Sequence, residues 1–244
     1  MFTLKNLAHV LAGRLGYVIS RSPGQRPGTC PFADMSRLLR QGSRPTIFDV
    51  GANEGQSVKR FRATFPSSVI HSFEPDRDAF ARLRENTAAK EGVFAWNSAL
   101  GAASGRQTFL ENSNSDMSSF LELSTNGWGS VQHREVVEMT TIDQFLATHR
   151  IDTIDILKSD TQGYEFEVFK GAEQAFRDQR IGMIYSEFIF SDMYRNLPSF
   201  DEVFRHLTDR GFRLVSIYAI EHQNNLASWA DALFVHEAYG LRSA

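Results

Sequence analysis

The sequence predicts an α/β fold built on a mostly parallel sheet that presents its ligands at the carboxyl ends of the strands. Three observations carry this. Short apolar, β-favouring runs alternate with helix-like segments from Thr46 to His236; two of the runs end in an acidic residue at a turn; and the first such turn bears glycines and leads straight into a helix. The 244 residues, 42% hydrophobic and 23% charged with a formal net charge of −3, can bury a sizeable core. No Ser/Pro linker divides the middle and no repeat is evident, so a single unit is expected over residues 46–244.

Residues 1–45 differ in character. Phe2, Leu4, Leu7, Val10, Leu11, Leu15 and Val18 recur at helical intervals, and Ser22–Pro31 is a Pro/Gly-rich connector. The expectation is an N-terminal helical arm that packs or forms a homodimer contact. Lys5, Asn6, His9 and Arg14 interrupt the apolar run, which makes it a poor secretory signal. A lone cysteine, Cys30, excludes an intramolecular disulfide and any cysteine-based zinc cluster and suits a reducing cytoplasm. The chain has no stretch of apolar residues long enough for a transmembrane helix, and its near-neutral charge offers no nucleic-acid footprint. Small or polar partners are expected.

The first strand, Thr46–Val50, delivers Asp49 to the turn in IFDVGANEGQ. Gly51 permits a tight turn, Gly55 lets a ligand approach the backbone, and a helix over Gln56–Phe65 presents unpaired N–H groups. A dinucleotide fingerprint needs a third glycine that Ala52, Asn53 and Glu54 do not supply. Asp49 and Glu54 would repel a diphosphate but suit the ammonium and hydroxyl groups of an amino-acid-bearing nucleoside, which points to S-adenosylmethionine rather than NAD.

A second strand, Val69–Phe73, ends at Glu74-Pro75, where a carboxylate can accept hydrogen bonds from both ribose hydroxyls. Asp76 begins an amphipathic helix over Asp76–Glu91, and a third strand near Val93–Ala99 brings Asn97, Ser98, Ala99 and Leu100 beside the base edge of a nucleoside. Asn112–Ser130, rich in Ser, Asn and Gly and carrying Ser118, Ser119 and Trp128, is long enough for a lid. Thr141 caps a helix that ends near His149.

The strand Ile154–Leu157 then carries Lys158 and Asp160 to its carboxyl end on one face, and Gly163 turns the chain into a helix with Tyr164, Glu165 and Phe169. Strands follow near Ile181–Ser186, Phe212–Tyr218 and Ala232–His236, with a helix near Phe200–Arg210.

Together, FDVGANEGQ, SFEPD, NSALG and DILKSDTQGYEFEVFKGAE resemble the FkbM-type family of S-adenosylmethionine-dependent methyltransferases, over about Thr46–His236. The resemblance implies a Rossmann-like, seven-stranded, mostly parallel methyltransferase sheet flanked by helices, with an antiparallel last strand. It implies O-methylation of a hydroxyl on a sugar, glycan or natural product. Asp49, Gly51, Asn53 and Gly55 would line the methionine end of the cofactor, Glu74 the ribose, and Ser98 and Ala99 the adenine. Asp160 would face the transferable methyl, and Glu187, with Asp231 near the last strand, would enter the same crevice. These acids suit either a proton acceptor or an oxygen-ligand site for a divalent ion such as magnesium. Asp160 or Glu187 is expected as the base; Lys158 would orient the acceptor, or act as the base were its pKa lowered. The alternatives are a cofactor-binding scaffold subunit that methylates nothing and an NAD-dependent reductase. The latter lacks both the third glycine and a tyrosine with lysine four positions on.

Overall fold

The computed structural model describes residues 26–39 and 43–240. The arm helix expected over Met1–Ser20, and with it the dimer contact, lies outside those residues.

The first described helix, α1 (Pro31–Leu38), buries Phe32, Asp34 and Met35. Phe32 and Met35 join the core with Ile47 and Phe61, and Tyr218 donates a hydrogen bond to the buried Asp34 at 2.8 Å. The domain boundary expected at residue 46 therefore falls inside a packed unit. Pro31 opened this helix where the sequence read as a connector, a proline being at home in a first turn.

Strand β1 (Thr46–Val50) leads through Gly55, at φ 91°, into α2 (Gln56–Thr64). Strand β2 (Val69–Phe73) follows, then α3 (Arg77–Thr87), whose N-cap Asp76 accepts a hydrogen bond from the Ala79 N–H at 2.7 Å. The third strand expected over Val93–Ala99 is split. Asn97 and Ser98 break β3 (Val93–Trp96) from β4 (Ala99–Leu100), which joins a second sheet.

Two strands in that second sheet went unread in the sequence: β5 (Gly105–Asn112) and β6 (Val131–Thr140), an antiparallel pair. Half the residues of each are exposed, so neither shows the apolar run that marks a buried strand. Helix α4 (Ile142–His149) starts at Thr141, whose hydroxyl accepts from the Gln144 N–H at 3.0 Å.

The chain then returns to the main sheet through β7 (Ile154–Ser159), short helices α5 (Glu165–Lys170) and α6 (Glu173–Arg177), and β8 (Ile181–Ile189). Helix α7 (Phe200–Thr208) precedes the hairpin β9 (Phe212–Gln223) and β10 (Leu226–His236), and α8 (Glu237–Gly240) closes the described chain.

The main sheet has seven strands in the order β3-β2-β1-β7-β8-β10-β9, and β10 pairs antiparallel to both neighbours. Alternation sends Phe48 and Val50 to one face and Ile47 to the other, as it does Leu157 and Ile156 of β7. Each face carries its own apolar layer, with Phe73, Phe145 and Phe169 on one side and Phe61, Phe65 and Leu83 on the other. This is the Rossmann-like methyltransferase arrangement. The strand order reverses direction at β1 and β7, the switch point of the sheet, and that is where the crevice opens.

Candidate functional site

A cleft of about 270 Å³ opens at the carboxyl ends of β1, β2, β7 and β8. Its floor is the glycine turn. Gly51 stands at φ 72°, and a Cβ there would lie 1.8 Å from the Asp160 carbonyl oxygen, so only glycine lets β1 and β7 end this close together. The Gly51 and Ala52 N–H groups both donate to the Phe73 carbonyl, at 3.1 and 3.0 Å, which ties the turn to β2. Gly55 has a different task. A Cβ there would meet Leu83 Cδ1 at 3.0 Å and it does not line the cleft, so it admits a helix, not a ligand.

Glu74 forms one wall. It is 6% exposed, and its carboxylate accepts the N–H of Asn53 at 2.7 Å and that of Asp76 at 2.9 Å. Burial pushes its pKa up to about 7, against the pull of those two N–H donors. Asn53 adopts a left-handed φ of 46°, and its Nδ2 donates to Asp116 Oδ1 at 2.8 Å. Its buried Oδ1 has no partner among the described residues. Ala99 lines the cleft beside Leu100, Phe109 and Phe120, whereas Ser98 does not reach it.

Two expected residues lie beneath the floor rather than in the cleft. Asp49 is fully buried and Lys158 is 5% exposed. Lys158 Nζ sits 3.1 Å from Asp49 Oδ1 and 3.6 Å from Asp160 Oδ2, and it donates to the Gly51 carbonyl at 2.8 Å. Burial alone would lower the lysine pKa, but the carboxylates of Asp49 and Asp160 overcome it and raise the value. Lys158 thus clamps β1, its turn and β7 from beneath the cleft and is not among the residues that line it.

The far wall holds Asp160, Gln162 and Glu187. Gln162 Nε2 donates to Asp160 Oδ1 at 3.2 Å and to Glu187 Oε2 at 3.0 Å, while its Oε1 accepts from the Tyr194 hydroxyl at 3.0 Å. Burial, then the charges of Asp160, Glu165 and Asp231, raise the Glu187 pKa well above the usual carboxylate range. Sequence reasoning passed over Gln162. The signal was the TQG turn, where Gln162 takes a left-handed φ of 56°. Glu165 braces that turn, accepting the Thr161 N–H at 2.6 Å and the Gly163 N–H at 3.3 Å, and its own pKa is raised by burial to about 7.

Asp231 stays outside the cleft. Its carboxylate accepts the Tyr185 hydroxyl, and no three acidic or imidazole side chains among the described residues are grouped to hold a metal ion. The three-acid oxygen site for magnesium is not assembled among the described residues: Asp231 stands opposite Glu187 in the β8–β10 register, but its carboxylate takes the Tyr185 hydroxyl.

The expected lid is largely pinned down. Ser119 Oγ donates to the Gln162 carbonyl at 2.7 Å, the Ser124 N–H to the Met193 carbonyl at 2.9 Å, and the Arg195 N–H to the Glu122 carbonyl at 2.8 Å. Ser118 lines the cleft from this segment.

The cleft fits S-adenosylmethionine. A buried carboxylate at the end of β2, a glycine turn that a Cβ would close, an unpartnered Asn53 oxygen and an apolar end at Leu100 and Phe109 offer ribose, amino-acid and base sites in one crevice.

Known proteins agree. The 2-O-methyltransferase NoeI of Sinorhizobium fredii is 27% identical over 180 residues, covering 65% of this chain and 73% of that one. The hexuronic acid methyltransferase AglP of Haloferax volcanii is 26% identical over 149 residues, 59% of this chain and 57% of its own length. Among solved structures, M. capricolum TrmK with S-adenosyl-homocysteine superposes with a TM-score of 0.49 at 7% identity, covering 85% of this chain and 68% of that one. At that level it adds nothing to the topology described above. The methyltransferase FkbM domain model matches residues 49–214, a span that takes in the glycine turn, Glu74, Gln162 and Glu187 together. The chain belongs to the FkbM methyltransferase family.

Proposed function

We propose that this methyltransferase moves a methyl group from S-adenosylmethionine to a hydroxyl oxygen of a sugar-bearing acceptor, with Glu187 accepting the hydroxyl proton. One observation carries the assignment of the base: Glu187 lines the cleft with a raised pKa, whereas Asp160, the other candidate, has the Lys158 ammonium 3.6 Å away, and Lys158 itself is paired with Asp49 below the cleft. Support for the acceptor class comes from the two relatives, whose names describe a 2-O-methyltransferase and a hexuronic acid methyltransferase.

The bound sulfonium supplies an electrophilic methyl carbon. The protein's own work is placement and proton removal. Glu74 and the Asn53 turn hold the nucleoside and amino-acid ends, and Asp160, over Gly51, sets a negative charge between them and the acceptor side. Gln162 fixes Glu187 through one Nε2 hydrogen bond and is itself fixed by Tyr194. A carboxylate of raised pKa is a stronger proton acceptor than an ordinary one, and orientation supplies much of the remaining rate. No step requires a divalent cation, so a chelator should leave the rate unchanged. Cytoplasmic residence is part of the same proposal; no helix among the described residues is long and apolar enough to cross a membrane.

The test is methyl transfer from labelled S-adenosylmethionine to a panel of oligosaccharides, wild type against Glu187→Gln. Transfer lost in the variant with cofactor binding intact supports the assignment. Undiminished transfer would remove Glu187 from the chemistry.

A further inference from the structure

A second cavity of about 230 Å³ adjoins the first and shares three of its walls, Asp116, Gln162 and Glu187. Its floor is apolar, with Met117 and Met193. Its mouth is made by two indoles, Trp128 from the lid and Trp229 from β10, packed edge to face with ring centroids 5.4 Å apart. Trp128 is 40% exposed, a large apolar surface left to solvent on a segment otherwise well tied. Trp229 is set by the backbone, since β10 breaks register against β9 on both sides of it, and such bulges re-aim a side chain. Trp229 also lies beyond residues 49–214, outside the span the family model matches.

The charge of this cavity is one-sided. Asp116 and Glu187 line it, Asp160 stands next door, and no Lys, Arg or His among the described residues lines either cavity. Lys158, beneath the adjoining cleft, is already held by Asp49 and Asp160.

Resting on the methyltransferase reading above, we propose that the Trp128–Trp229 cavity is the acceptor subsite and that it takes a neutral pyranose, not a uronate or a sugar phosphate. Indole rings offer flat apolar faces to the C–H face of a sugar ring, and Asp116, Asn114 and Gln162 offer its hydroxyls hydrogen-bond partners. The shared wall places the ring against Glu187, so one hydroxyl meets the base while the ring rests on tryptophan. An anionic sugar would meet carboxylates with no lining cation to offset them. This chain therefore differs in acceptor charge from its relative named for hexuronic acid.

Saturation-transfer NMR on the S-adenosyl-homocysteine complex, with methyl hexopyranosides and the matching methyl hexuronides as probes, tests this. The neutral glycosides should be favoured by about tenfold, as expected when a like charge is brought beside carboxylates. Trp229→Ala and Trp128→Ala should abolish their signal while the S-adenosyl-homocysteine affinity and melting temperature hold, Trp229→Phe should keep part of it, and Asp116→Asn should narrow the preference. Equal signal from uronides, unchanged binding in both tryptophan alanine variants, or no glycoside signal would overturn the subsite. Failure of S-adenosyl-homocysteine itself to bind would overturn the methyltransferase reading and this inference with it.

Discussion

The two sides of the crevice are built by different means. The cofactor side is made of residues at the ends of consecutive elements: the Gly51–Asn53 turn after β1, Glu74 after β2, and Ala99 and Leu100 after β3. The acceptor side is made of side chains brought from far apart, with Asp116 and Trp128 from the lid, Gln162 after β7, Glu187 on β8 and Trp229 on β10. One side follows from strand ends and so comes with the fold; the other depends on how distant segments pack. The two meet at Asp116, Gln162 and Glu187, which border both cavities.

If the division is sound, changes on the two sides should separate affinity from chemistry. Glu187→Gln should lower the transfer rate by about 10²–10⁴-fold, the scale of a lost general base, with cofactor affinity within about twofold of wild type; single-turnover kinetics beside calorimetry reads both. Gly51→Ala should cost about 3 kcal/mol of stability in urea denaturation, because its Cβ would lie 1.8 Å from a backbone oxygen at a left-handed φ. Glu74→Ala should weaken S-adenosylmethionine binding by about 10–100-fold, the worth of one or two hydrogen bonds to a charged group, without shifting acceptor preference.

A further effect concerns pH. Glu165 titrates near an ordinary 4.5 when unfolded and at about 7 when folded, so between those values the folded state holds more protons. Its contribution to stability is therefore largest below pH 4.5 and is lost as pH rises to about 7. Melting curves of wild type should fall across that window relative to Glu165→Gln, by roughly 1 kcal/mol per pH unit.

The same contrast explains what was legible in the sequence. Strands β1 and β2 were read to the residue because buried parallel strands are continuous apolar runs, and Asp76 and Thr141 announced their helices as N-caps. Strands β5 and β6 were missed because half-exposed strands lack that run, and α1 went unread beyond Pro31, the last residue of the Pro/Gly connector. Within the site, Glu74 and Asp160 were readable from their places at strand ends, whereas Asn53 and Glu187 followed from the family resemblance; all four line the cleft. Residue type alone could not separate Lys158 and Asp49, paired beneath the floor, from residues lining the cleft, since an acid and a lysine at a strand's end look the same buried or open. Nor could it show Asp231 turned onto Tyr185, or Gln162 bridging two acids, because both depend on partners distant in the chain.

The most direct test is calorimetric titration of S-adenosylmethionine into wild type, Glu74→Ala and Glu187→Gln, with methyl transfer measured on the same samples. The two-sided crevice predicts that Glu74→Ala loses affinity while Glu187→Gln binds like wild type and transfers almost nothing. Equal affinity in all three, or loss of binding in Glu187→Gln, would contradict it.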